Sequence, residues 1–156
     1  MKATFLVVGK TTDSRIETLV EEYRRRIAHY MPFEIQVVPE LKNAKSLSEA
    51  QQKEQEGTQI LQRADGKTEM ILLDEHGQEM RSMDFAQYMQ KKMSAGRDLM
   101  FVVGGPYGFS EAVYKRAEGK ISLSKMTFSH QMIRLFFTEQ LYRALTILKG
   151  EPYHHE

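Results

Sequence analysis

The chain has 156 residues, no cysteine and a formal net charge of +1, the size of one domain able to bury roughly two thirds of its unfolded surface. Without cysteine there is no disulfide framework, thiolate nucleophile or Cys-based zinc site, and the near-zero charge argues against coating by nucleic acid through bulk electrostatics. No apolar run approaches the ~20 residues that cross a bilayer, and the opening MKATFLVVGK is too poor in apolar residues for a signal-peptide core, so a cytoplasmic protein without membrane contact is expected.

Residues 3–8, ATFLVV, form an apolar, β-branched run stopped by Gly9, which predicts a buried strand. After Asp13 and Ser14, either able to cap, Ile16, Leu19, Val20, Tyr23, Ile27 and Tyr30 mark one face of a helix. A second strand is predicted over residues 33–38, between Pro32 and Pro39, with a loose polar stretch after it. SLSE at residues 46–49 has the form of a capping box and opens a polar helix towards Arg63 that carries Gly57. Residues 69–74 predict a third strand, and a helix from Ser82 or Asp84 presents Phe85, Ala86, Met89 and Met93 before Gly96 ends it.

A fourth strand over residues 99–103 leads into GGPYGFS, where Ser110 is the expected cap of a short helix to Ala117, and a brief strand follows at residues 121–123. The last helix, about residues 130–149, carries Ile133, Phe137, Leu141, Ala144, Leu145 and Leu148, widened by Met132, Phe136 and Ile147. That stripe is broad enough for cover by a partner subunit. Gly150 suits a left-handed C-cap and Pro152 prevents resumption.

Strands that alternate with helices, and are apolar on both faces, predict one α/β domain over residues 1–156, a mainly parallel sheet flanked by helices. Ligands of such sheets gather beyond the carboxyl ends of the strands. Here those ends are Leu73 with Asp74, Gly104 with Gly105, and Leu123 onward.

The densest chemistry lies in residues 122–134, SLSKMTFSHQMIR, where small hydroxyl residues, Lys125, His130 and Arg134 lead into the apolar last helix. Gly104, Gly105 and Gly108 let backbone approach a ligand with no side chain in the way. Neither GxGxxG nor GK followed by Ser or Thr is present, and a plain turn is the alternative. His130 and Arg134, four apart, would lie one above the other on a helix. The imidazole suits hydrogen bonding or proton acceptance and the guanidinium suits a phosphate or a developing anion; a solvated polar turn is the alternative. No Ser–His–Asp set, HExxH or EF-hand pattern occurs, so no metal is expected. His154 and His155 either take a metal or fray with the tail. Between residues 112 and 155 seven Lys or Arg face three Glu, which is either ordinary variation of surface charge or half of a basic face.

Taken together, MKATFLVVGK, EYRRRI, PFEI, KEQEG, LLDEHG, GRDLMFVVGGPYGFS and SLSKMTFSHQMIRLFFTEQLYRALTILKGEPYHHE resemble the SPOUT-class ribosomal RNA large-subunit methyltransferase H family over essentially the whole chain. The resemblance implies a homodimer with a C-terminal trefoil knot that binds S-adenosyl-L-methionine and methylates N3 of a pseudouridine in large-subunit ribosomal RNA. Carried over by motif, the cofactor contacts are Leu73, Gly104, Leu123, Ser124, Lys125, Met126, Thr127 and Phe128. Within that reading Arg134 supports the anionic ring or a neighbouring phosphate, while His130, or Tyr153 and His154 from the second subunit's tail, orients the base or accepts its proton. RNA binding would then weaken steeply with salt. The competing readings are an RNA-binding or ribosome-associated module that has lost transfer activity, and a methyltransferase acting on transfer RNA.

Overall fold

Strands apolar on both faces need cover on both faces, and the chain order supplies it. The computed structural model describes residues 1–155; Glu156, the last residue of the expected domain, lies outside them. The elements are β1 (Ala3–Val8), α1 (Ser14–Ala28), β2 (Phe33–Val38), α2 (Glu49–Gln62), β3 (Glu69–Glu79), α3 (Ser82–Ala95), β4 (Leu99–Val103), α4 (Glu111–Arg116), β5 (Gly119–Ser122) and α5 (Met132–Leu148). The five strands form one parallel sheet in the order β2-β1-β4-β3-β5. Connections made in opposite directions along a parallel sheet fall on opposite faces when each crossover has the usual hand. Accordingly α1 and α3 pack with α5 on one face, and α2 and α4 take the other.

The period-two alternation of a strand sorts the side chains between these layers. Phe5 and Val7 of β1 and Phe101 and Val103 of β4 join the core under α1, α3 and α5, while Leu6, Met100 and Val102 join the core under α2 and α4. Phe137 of α5 lies at the centre of the first core, its ring 4.6 Å from that of Phe5 and 4.9 Å from that of Phe101. Among the described residues no helix is long and apolar enough to cross a membrane.

Several boundaries move for identifiable reasons. The capping box is made by Ser48 and Gln51, not by Ser46 and Glu49: Gln51 N–H donates to Ser48 Oγ at 3.1 Å and Ser48 N–H to Gln51 Oε1 at 2.9 Å. Ser46 instead closes a 3₁₀ turn, Ala44–Ser46, with its hydroxyl on Asn43 O at 2.8 Å. Because the cap satisfies otherwise orphaned N–H groups, Ser48→Ala is expected to cost about 1 kcal/mol, read as a lower urea midpoint with an unchanged slope. Leu19, expected on the buried face of α1, is 41% exposed. α4 ends at Arg116, one residue short of the expected end, and the brief fifth strand starts earlier, at Gly119.

The largest departure is β3, which continues to Glu79 instead of stopping at Asp74. Ile121 of β5 pairs with Leu73 and again with Gln78, so residues 74–77 leave the ladder and return. Gly77 makes the return possible. A Cβ there would stand 2.6 Å from Ile121 C and 2.7 Å from Ile121 N, so β3 backbone lies directly on β5 backbone.

α5 starts at Met132, two residues after the expected start, where Ser129 Oγ accepts from Met132 N–H at 3.1 Å. It ends in a Schellman motif, Gly150 (φ +69°) donating to Ile147 O at 3.1 Å and Glu151 to Thr146 O at 3.0 Å. The tail beyond it does not fray. Tyr30 Oη donates to Glu151 Oε2 at 2.7 Å, Tyr153 Oη donates to Glu139 Oε1 at 2.9 Å, and the Arg143 guanidinium sits 4.8 Å from the Tyr153 ring centre with His154 Nδ1 at 3.0 Å. Among the described residues no group of three or more His, Cys, Asp or Glu is placed to hold a metal ion.

Candidate active site

The excursion within β3 and the carboxyl ends of β4 and β5 meet at one cleft. Its walls are the excursion of β3 (residues 74–77), the turn after β4 (residues 104–109) and the segment that links β5 to α5 (residues 122–130), enclosing about 480 Å³. Volumes of a few hundred Å³ suit a small ligand or cofactor.

Each wall is fixed by local chemistry. Asp74 holds the first: its Oδ1 accepts from His76 N–H at 2.8 Å and its Oδ2 takes the hydroxyl of Tyr114 on α4. Burial, then the bond to Asp74, pushes the Tyr114 phenol up to about 12, so at neutral pH it remains a donor. In the second wall Gly108 N–H donates to Gly105 O at 3.1 Å, closing a turn across Pro106 and Tyr107, and Gly108 takes φ +81°, where only glycine is unstrained. In the third, Ser122 Oγ donates to Ser124 O at 2.8 Å, Met126 N–H donates to Ser124 Oγ at 2.9 Å, and Thr127 Oγ1 reaches Glu75 Oε2 at 3.4 Å. The hydroxyls that stand out in the sequence therefore satisfy the backbone of an irregular segment that passes beside the sheet.

Of the residues expected to touch a cofactor, Leu73, Gly104, Leu123, Ser124, Met126, Thr127 and Phe128 line the cleft, and His130 stands on its rim. Lys125 is not among the lining residues; it is exposed and its Nζ lies 3.8 Å from Glu79 Oε1. Asp74, named with Leu73 as a strand end in the sequence, also lines the cleft. Glu75, His76, Tyr107 and Tyr114 also line the cleft and were missed. A polar DEHG directly after an apolar strand was a usable signal for the first two. The pairing of Tyr114 with a carboxylate forty residues earlier left none.

Arg134 is placed differently from its expected role. It is 3% exposed and does not line the cleft. Its Nε donates to His130 O at 3.0 Å, one terminal nitrogen donates to Gly9 O at 2.9 Å and Thr11 Oγ1 at 3.0 Å, and the other donates to Val8 O at 2.9 Å. Four of its five N–H groups are thus used within the chain, tying the end of β1 to the start of α5. Tyr153 and His154 are likewise away from the cleft, held on the side of α1 and α5, where Tyr153 Oη also meets Tyr23 Oη at 3.2 Å.

The family profile described as "Predicted SPOUT methyltransferase" matches residues 1–154. The chain belongs to the SPOUT methyltransferase family. Proteins named ribosomal RNA large subunit methyltransferase H from Parabacteroides distasonis, Bacteroides thetaiotaomicron and Flavobacterium johnsoniae are 59%, 57% and 52% identical to it, each over 100% of both chains. SPOUT membership agrees with the sheet of parallel strands flanked by helices, and methyl transfer is the chemistry of the family.

The donor set of this SPOUT cleft fits a sulfonium methyl donor such as S-adenosyl-L-methionine. Leu73, Ile121, Leu123 and Phe128 offer apolar walls for a heterocycle, Gly104 and Gly105 leave backbone open to a ligand, and Asp74 and Glu75 add carboxylates to the lining that suit a cationic group.

Proposed function

We propose that the cleft binds S-adenosyl-L-methionine and that the protein transfers its methyl group to N3 of a pseudouridine in large-subunit ribosomal RNA. The observation that carries this reading is the convergence of three strand-end turns on one cleft, in a chain whose full-length relatives are named ribosomal RNA large subunit methyltransferases. The bound cofactor supplies an already electrophilic methyl group. What the protein adds is alignment of the ring nitrogen and removal of its proton. Leu73, Gly104, Leu123, Ser124, Met126, Thr127 and Phe128 hold the cofactor, with Lys125 contributing through backbone or through the RNA. His130, on the rim of the cleft, is the candidate proton acceptor. Arg134 serves as a positioning residue: by holding the His130 carbonyl and the end of β1 it sets where that imidazole stands.

In this reading the protein acts in the cytoplasm as one domain and as a homodimer. The exposed Phe136 on α5, its ring 4.8 Å from that of Phe128, and the 78% exposed Met126 support an apolar contact beside the cleft. Tyr153 and His154 are then delivered to the partner's cleft. Their being held off their own cleft is what supports this. The excursion of β3 around Ile121, with β5 leading through residues 123–131 to a helix packed against both α1 and α3, supports a trefoil knot at this end of the chain.

The test is incubation of the purified protein with methyl-labelled cofactor and either ribosomal RNA, isolated subunits, whole ribosomes or transfer RNA, followed by nucleoside analysis. Label is expected in N3-methylpseudouridine from ribosomal particles. Label confined to transfer RNA, or RNA binding with no cofactor consumed, would replace this reading by one of its two rivals.

A further inference from the structure

The floor beneath the Gly104–Gly105 wall is made by α2, through two residues of its buried face. Position 57 has no room for a side chain, since a Cβ there would collide with Ser110 Oγ, so the helix backbone lies close under the cap of α4. Beside it, the carboxyl of Glu56 occupies the space that a side chain at position 105 would need; a Cβ on Gly105 would meet Glu56 Oε1 and stand 2.8 Å from both Cδ and Oε2. Glu56 is 5% exposed. Gln52 Nε2 donates to its Oε2 at 3.1 Å, whereas its Oε1 has no hydrogen-bond partner among the described residues.

A buried carboxyl with an unmatched oxygen costs free energy that an apolar side chain of similar length would not. Burial raises the Glu56 carboxyl above the ordinary range, Glu40 pushing the same way and His130 the other. Packing alone therefore does not account for the residue. The turn above it has neither a side chain at 104 nor one at 105 to anchor it, and its own closure is the single Gly108–Gly105 bond. Glu56 is not among the residues lining the cleft while Gly105 is, so the contact of Glu56 reaches a ligand through that turn.

We infer that Glu56 is a positioning residue for the cofactor wall: its carboxyl, pressed against Gly105 from below, sets the height of the turn over residues 105–108. The inference rests on the cofactor reading above. It assigns a task to a side chain of this length and shape on the buried face of α2 between Gln52 and Ile60, and so to the KEQEG motif.

The experiment uses the full chain and calorimetric titration with S-adenosyl-L-methionine and S-adenosyl-L-homocysteine. Glu56→Asp draws the carboxyl back by one methylene, Glu56→Gln keeps its shape, and Ile60→Val trims a neighbouring buried residue of the same helix (2% exposed) that lies off the cleft. Urea denaturation places the three variants on one stability scale. Glu56→Asp is expected to raise Kd about tenfold or more, since small misplacements of a binding wall are costly, while Glu56→Gln and Ile60→Val stay within about threefold of the parent. Unchanged binding by Glu56→Asp overturns the inference, as does a loss in Glu56→Gln equal to that in Glu56→Asp, or losses in all three that merely follow stability. Absence of binding by the unaltered protein overturns the cofactor reading and this inference together.

Discussion

Arg134→Ala is expected to remove about 3 kcal/mol or more of folding stability, because it strips donors from three backbone carbonyls at once, each worth about 1–3 kcal/mol when left buried and unpaired. Those carbonyls belong to Val8, Gly9 and His130, so the loss falls on the joint between the first strand and the last helix. Arg134→Lys should recover only part of it. An ammonium presents donors from one point, and here the donors must reach three carbonyls and Thr11 Oγ1 in different directions. A urea or thermal melt measures the difference. A residue serving only to hold a substrate anion would behave in the opposite way, with an unchanged melt and a lower turnover, and a stability loss below about 1 kcal/mol would restore that role.

The second large effect is expected at Gly77. Gly77→Ala places a methyl group 2.6–2.7 Å from the backbone of Lys120 and Ile121, and backbone in a ladder cannot rotate aside as a side chain can. Either β3 and β5 separate or the excursion over residues 74–77 is displaced. The expected cost is about 3 kcal/mol, measured as a fall in urea midpoint. Since Asp74, Glu75 and His76 form a wall of the cleft, cofactor affinity measured by calorimetry should fall further than stability alone explains. Full retention of binding would show that this wall is not needed.

The parts of the fold visible in the sequence are those fixed by local pattern. β1, β2 and β4 read correctly because short apolar, β-branched runs between breakers have few other uses, and Gly96, Ser110 and Gly150 mark helix ends by the conformations and bonds that those residues supply. Strand ends and the carboxyl-edge rule together locate the cleft before any contact is known. What stays hidden depends on partners remote in sequence. Residues 75–79, EHGQE, lie beyond the expected strand, and it is the pairing of Gln78 and Glu79 with β5 that extends β3 past them. Ser46 and Ser48 both fit the capping pattern, and the choice between them is made by where the preceding 3₁₀ turn ends. Arg134 carries a charge that suggests a ligand, and three of its four acceptors lie more than 120 residues away. Glu56 looks like one more charge on a polar helix until its neighbour at Gly105 is seen.

The packing of Phe137 against Phe5 and Phe101 also governs how this molecule comes into being. During synthesis the opening strand leaves the ribosome long before the closing helix does, and the rings it must meet are absent until nearly the whole polypeptide has been made. Most contacts that seal this side of the sheet are therefore non-local, a topology that folds slowly and leaves apolar surface open to water in the interval. A nascent chain stopped short of α5 would expose Phe5 and Phe101 together, making it a candidate for chaperone capture or degradation before it could acquire a working cleft.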